Sequence, residues 1–377
     1  MKFRVERDAL ADAVSWAARS LSTRPTIPVL AGLLLTVEGS RLSISGFDLE
    51  ASTEVDLDVA AGADGQALVS GRLLAEITRS LPPHPADVTV DGARLTLSCG
   101  AARFTLPTMP VEDYPKLPVM PSTAGTVESS EFAAAVAQVA VAAGRDDTLP
   151  MLTGVRLEIE GDRLTLAATD RYRLAVRELT WSPEAPTGAS AQVLVPARTL
   201  ADAAKSLGSA ESLTIALSST NGTGEGILGF TGNAGGRASR ATTRLLDATF
   251  PAYRSLLPTE WSSLAEVPVA PLVEAVKRVA LVADRNAPVR MEFADGGVAL
   301  SAGGDDEGRA EENLEVRYEG DPITTAFNPQ FLLDGLGALP TGSARLLFTS
   351  SNKPVVLRPD SDGIEYTYLI MPVRLPG

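Results

Sequence analysis

One cysteine, one histidine and a 5% share of aromatic residues are the scarcest features of this 377-residue chain. Each scarcity closes off a class of function. With Cys99 alone there is no internal disulfide, which fits a reducing compartment. His84 lies in Pro82-Pro83-His84-Pro85, a turn composition, so no His/Cys metal site of the usual spacing can be assembled. A Ser-His-Asp or Cys-His arrangement would have to pass through His84 or Cys99, and neither sits in a nucleophile motif. Cys99 follows the strand-like Arg94-Leu95-Thr96-Leu97 and reads as a core thiol. We therefore expect no metal, no cofactor and no catalysis. Adjacent carboxylates such as Asp146-Asp147 and Asp305-Asp306 do not change this, because adjacency does not aim two carboxylates at one substrate. No apolar run is long enough to span a bilayer, and Met1-Lys2-Phe3-Arg4 does not open a charged-then-apolar leader, so the expected location is the cytoplasm, away from membranes.

Basic residues are also in short supply, 33 against 47 acidic ones, for a formal charge of −14. Taken alone this argues against nucleic-acid binding, which normally needs a basic surface. The distribution is uneven, however. Residues 1–24 hold five basic side chains (Lys2, Arg4, Arg7, Arg19, Arg24) against three acidic ones, whereas residues 295–319 hold eight acidic against two basic.

What the chain does have is an echo of itself. Pro28-Val29-Leu30-Ala31-Gly32 returns 122 residues later as Pro150-Met151-Leu152-Thr153-Gly154, and Glu38-Gly39-Ser40-Arg41-Leu42 returns as Glu160-Gly161-Asp162-Arg163-Leu164. A more diverged copy is placed at Pro288-Val289-Arg290-Met291. Such a period is too long for a solenoid and matches whole domains, predicted at 1–122, 123–254 and 255–377. Each copy opens with a helical pattern: Leu10, Val14, Ala17; Phe132, Val136, Val139 to Ala143, with Ser129 or Ser130 as N-cap; and Leu272, Val276, Val279 to Ala283, with Pro271 in its first turn. Short alternating runs then predict antiparallel strands, and a second helix falls mid-copy at 70–81, 196–207 and 328–339. The class is α+β. Two helices cannot cover both faces of the sheet in each copy, so the neighbouring copy's sheet is expected against the other. Linkers are predicted at Lys116–Gly125 and Leu257–Pro268, and the glycine-rich segment Asn221–Arg240 is expected to include an exposed hairpin loop. Its Gly222-Thr223-Gly224-Glu225-Gly226 lacks the lysine and following helix of a phosphate loop.

At Thr169-Asp170-Arg171-Tyr172-Arg173-Leu174-Ala175 the chain resembles the middle domain of the bacterial DNA polymerase III beta subunit family, the sliding clamps. Arg24-Pro25-Thr26-Ile27-Pro28, Phe250-Pro251-Ala252-Tyr253-Arg254, Ala326-Phe327-Asn328 and Tyr368-Leu369-Ile370-Met371-Pro372-Val373-Arg374-Leu375 resemble four further family segments, in order along the whole chain. The resemblance implies the DNA clamp fold, two helices on antiparallel sheets in each of three tandem domains, and a ring-shaped head-to-tail homodimer around double-stranded DNA. It also resolves the charge conflict. A ring held by topology needs only a few basic side chains to centre the duplex, and tight phosphate contacts would oppose sliding. Candidates for that role are Arg24, Arg72, Arg79, Arg198, Lys205, Lys277 and Arg278, each of which also reads as an ordinary solvated helix position.

The resemblance further implies a pocket for short peptide motifs of the polymerase III alpha subunit, the clamp loader and repair polymerases. Matching positions are Leu152, Thr169, Arg171, Tyr172, Arg173, Leu174, Pro251, Leu256, Pro354, Leu369, Met371, Pro372, Val373 and Arg374. Leu152, Leu174 and Leu369 read equally as strand core. Many family members carry Gly-His where this chain has Arg171-Tyr172, which adds bulk and charge at the pocket's edge. The dimer contact implied by the resemblance falls on Phe104 and Leu106 of one copy and Leu281 and Val282 of the other.

Overall fold

The computed structural model describes residues 1–22, 24–184, 190–218, 226–234, 237–283, 287–304, 308–361 and 363–374. Gly222 to Glu225, the Asp305-Asp306 pair and Leu375 lie outside the described residues. Described helices are α1 (Arg7–Ala17), α2 (Gly71–Ser80), α3 (Ser129–Ala140), the single turn α4 (Pro150–Thr153), α5 (Ala197–Leu207), α6 (Val269–Val279) and α7 (Pro329–Gly337). They follow the expected apolar stripes: α1 buries Leu10, Ala13, Val14, Trp16 and Ala17, and α6 buries Leu272, Ala275, Val276 and Val279.

Helix ends and linkers depart from the sequence reading. The cap of α3 is neither serine. Glu128 takes that role, its carboxylate accepting the backbone N–H of Ser130 at 3.1 Å and of Glu131 at 2.6 Å. The Ser130 hydroxyl, followed by those N–H groups, holds the Glu128 carboxyl below its ordinary value. Ala143 falls beyond α3, in a turn where its N–H donates to Ala140 at 3.1 Å. Both linkers are shorter than expected, because strands begin at Thr123 and Ser263.

The chain forms two compact units, Met1–Ala133 with Trp181–Ala189 and Arg198–Asp247, and Ala134–Thr180 with Ser190–Ala197 and Ala248–Gly377. The first unit holds a 14-stranded sheet, the second a nine-stranded and a four-stranded one. The middle repeat contributes strands to both units. Ile227–Ala234 and Arg237–Arg244 lie in the first unit's sheet, while Arg163–Thr169 and Arg173–Thr180 lie in the second's.

Neighbouring repeats join edge to edge, which corrects the expectation that one sheet would cover the face of the next. In the first unit Arg237–Arg244 pairs with Ala51–Asp58, with Ala241 opposite Thr53. In the second, Arg173–Thr180 pairs with Tyr366–Ile370, with Leu174 opposite Leu369. The reason is that an unpaired strand edge presents N–H and C=O groups that need partners, and continuing the ladder supplies them. Beside the second seam α7 packs so closely that a Cβ on Gly335 would lie 2.4 Å from the Tyr368 ring, a spacing that excludes any side chain.

Candidate functional site

The second unit carries a cavity of about 330 Å³ beside its seam. It is built on a tight turn between Arg163–Thr169 and Arg173–Thr180. Asp170 Oδ1 accepts the N–H groups of Tyr172 at 3.0 Å and Arg173 at 3.1 Å, an Asx turn, while the Thr169 hydroxyl donates to Arg173 O at 2.6 Å. The turn forces Arg171 to φ 81°, a left-handed conformation costing about 1 kcal/mol in a side-chain-bearing residue. That geometry turns Arg171 and Tyr172 outward and Arg173 inward.

Arg173 is the anchor. Only 7% exposed, it donates to Asp170 Oδ2 at 2.9 Å and to Asp334 Oδ2 on α7 at 2.5 Å. Its guanidinium lies 4.4 Å from the Phe331 ring centroid. Burial alone would lower its pKa, but interaction with Tyr368 and hydrogen bonds to Asp334, Tyr368 and Asp170 outweigh it and raise the pKa further. Arg173 is therefore a fixed cation tying α7 to the turn. Above it the Tyr172 ring, 56% exposed, stacks on Phe331 at 6.2 Å. Leu149, Leu152 and the loop from Ala143 to Asp146 complete the wall. The Thr148 hydroxyl, with its N–H, holds the Asp146 carboxyl below the usual range. The result is an apolar floor with charged rims, suited to hold an aliphatic or aromatic anchor and orient its polar ends.

Of the expected pocket residues, Leu152, Arg171, Tyr172 and Arg173 line this cavity. Thr169 differs: it is 5% exposed and its hydroxyl is spent on the turn, so it shapes the site from beneath. Leu174 and Leu369, 1% and 3% exposed and directly opposed across the seam, are sheet core, because strand alternation turns them away from the opening. Pro251, Leu256, Pro354, Met371, Pro372, Val373 and Arg374 are absent from the lining among the described residues. Met371 and Val373 are anchored through backbone, their N–H groups donating to Tyr172 O and Ala326 O, both at 2.8 Å. Sequence reasoning missed Gln330, Phe331 and Asp334, which the first turns of α7 bring to the cavity.

All seven basic candidates, Arg24, Arg72, Arg79, Arg198, Lys205, Lys277 and Arg278, are exposed. Two are engaged by carboxylates: Lys277 pairs with Glu274 at 2.9 Å and Arg278 with Glu312 at 2.6 Å. Arg79 donates to the Ser15 hydroxyl at 3.3 Å. Phe104 and Leu106 share one face of the strand Ala102–Met109, and that face turns inward. Leu106 is 1% exposed, so it can offer a partner only backbone, a correction to its expected role. The strand does have backbone to offer. Towards Gly65–Ser70 it pairs only at Thr108 and Met109, leaving Arg103 to Pro107 open on that side among the described residues. Leu281 is 83% exposed, an unusual state for a leucine.

Three models of the DNA polymerase III beta subunit match the chain in order: the N-terminal domain at residues 1–118, the central domain at 126–252 and the C-terminal domain at 254–374. The chain is 57% identical to the beta sliding clamp of Streptomyces coelicolor, covering 100% of both. It is 46% identical to the beta sliding clamp homolog GriR of Streptomyces muensis, covering 99% of each. Its fold matches the crystal structure of a Pseudomonas aeruginosa DnaN sliding clamp bound to griselimycin, with a TM-score of 0.89, 29% identity and 100% of both chains covered.

Proposed function

We propose, from the premise that the chain belongs to the DNA polymerase III beta subunit family, the bacterial sliding clamps, that two copies close head to tail around duplex DNA and slide along it. The protein is a clamp that tethers the replicative polymerase for processive synthesis. The observation that carries this reading is the 57% identity to a beta sliding clamp over the full length of both chains. Its domains fall at 1–122, 123–254 and 255–377. It acts without catalysis, in the cytoplasm, and its partners dock by short peptide motifs.

The surface chemistry agrees with a sliding ring. Arg24, Arg72, Arg198 and Lys205 are exposed and form no ion pair among the described residues, so they are free to meet phosphates weakly. The acidic remainder discourages adhesion elsewhere. Loading on nicked circular DNA followed by linearisation tests the mechanism. The protein is expected to run off the linear product, and protein that stays bound after cutting would overturn a topological hold.

The open strand backbone at Arg103 to Pro107, with the Phe104 side chain, docks Leu281 and Val282 of the second copy. Leu281→Ala combined with Val282→Ala is expected to shift sedimentation towards monomer at low micromolar protein. An unchanged dimer would sink the assignment.

A second reading is favoured by the likeness to a clamp solved with griselimycin bound and to GriR. In it the chain is a specialised clamp whose pocket meets a small molecule, with bulky Arg171-Tyr172 altering the fit. Complementation of clamp loss separates the two: rescue supports the first, failure with retained pocket binding the second.

A further inference from the structure

We propose that a cavity at the seam inside the first unit binds the guanidinium group of an arginine presented by a partner peptide. The cavity is about 260 Å³ and is the counterpart, one repeat earlier, of the site around Arg173. The correspondence is detailed. Asp48 Oδ1 accepts the N–H groups of Glu50 at 3.0 Å and Ala51 at 2.7 Å, as Asp170 does for Tyr172 and Arg173. Leu49 takes φ 79° where Arg171 takes 81°. Arg244 N donates to Glu50 O at 2.8 Å, as Met371 N does to Tyr172 O. Asp202 is the sixth residue of α5, as Asp334 is of α7.

What differs is what fills the space. Ala51 stands where Arg173 stands, Thr199 where Phe331 stands and Ala241 where Tyr368 stands. Three large side chains are thus replaced by small ones, and the cavity is the volume they leave. Both carboxylates that clamp Arg173 are kept: Asp48 and Asp202 line the cavity. Among the described residues the Asp202 carboxylate and the second oxygen of Asp48 have no hydrogen bond or ion pair. The walls add the Trp16 and Phe230 rings, against which a planar cation is attracted, as Arg173 is to Phe331. At the mouth Arg19, 6.0 Å from the Trp16 ring centroid, and Arg198 are exposed. They would repel a bare cation but pair with an acidic neighbour, so the fitting segment is an arginine followed by a carboxylate residue. This inference rests on the repeat geometry alone and stands whether or not the chain forms a ring.

The test follows the Trp16 indole N–H in nitrogen-15 spectra of the full chain during titration with acetyl-glycyl-arginyl-glutamyl-glycinamide. A saturable shift is expected, and none with the peptide carrying glutamine in place of arginine. Asp202→Asn, an exposed change, is expected to weaken binding about tenfold. Ala51→Arg is expected to fill the cavity from within, abolishing the shift and raising the Tm of the first unit. Equal shifts from both peptides, or binding unchanged in D202N, would overturn the proposal. So would a Trp16 shift produced by single-stranded oligothymidylate and not by the arginine peptide, which would assign the mouth to phosphate.

Discussion

Arg173→Ala is expected to destabilise the second unit by about 3 kcal/mol, the cost of removing one partner from a buried ion pair and stranding the others. Asp170 and Asp334 would be left facing each other with side chains only 14% and 24% exposed, and no other cation pairs with either among the described residues. Against a typical total of about 5–15 kcal/mol this is a large loss. It is measured as a fall in the urea midpoint reported by a probe in the second unit. Arg173→Lys keeps the charge but cannot span both carboxylates while lying flat on Phe331, so a smaller loss is expected. A midpoint unchanged in the alanine variant would show that α7 is held by apolar packing alone.

The second large effect is on binding. Tyr172→Ala removes the one aromatic ring that both lines the cavity and stands 56% exposed, so folding stability should change by no more than about 0.5 kcal/mol. Affinity for a polymerase-derived docking peptide should fall about thirtyfold, roughly 2 kcal/mol, as expected when an interface anchor is truncated. Fluorescence anisotropy with a labelled peptide measures it, and processive synthesis should fall in parallel. Full affinity in the variant would mean that the peptide avoids the Tyr172-Phe331 stack.

The helices were legible because burial imposes its period on the sequence: α1, α3 and α6 rise from apolar stripes that a reader can count. Their ends were not, since capping is a matter of single hydrogen bonds, and Glu128 outcompetes the serines that composition favours. The seams were hidden for another reason. Nothing local in Ala51–Asp58 specifies Arg237–Arg244 as its neighbour, and the ion pair between Arg240 and Glu54 joins residues 186 apart. At the candidate site the sequence marked Thr169 to Ala175 only through the family resemblance, and the turn itself was not read, because it is made by side-chain-to-backbone hydrogen bonds of the single Asp170. Gln330, Phe331 and Asp334 were not legible either, because their place depends on which face α7 turns to the seam. The recurrence of aspartate as the sixth residue of α5 and α7 was the available clue.

The division of the middle repeat between two sheets has a consequence for biosynthesis. Strand Ala51–Asp58 leaves the ribosome well before the strand that completes it, with 186 residues separating Glu54 from Arg240. At translation rates of about 5–20 residues per second that interval is roughly ten to forty seconds. Throughout it the nascent chain carries a bare, aggregation-prone ladder. The second unit waits in the same way for Tyr366–Ile370, which must insert between Arg173–Thr180 and Val355–Pro359. Neither sheet is complete until translation has passed its seam, so the edge of Ala51–Asp58 stays without its Arg237–Arg244 partner, and that of Arg173–Thr180 without Tyr366–Ile370, until those later strands emerge.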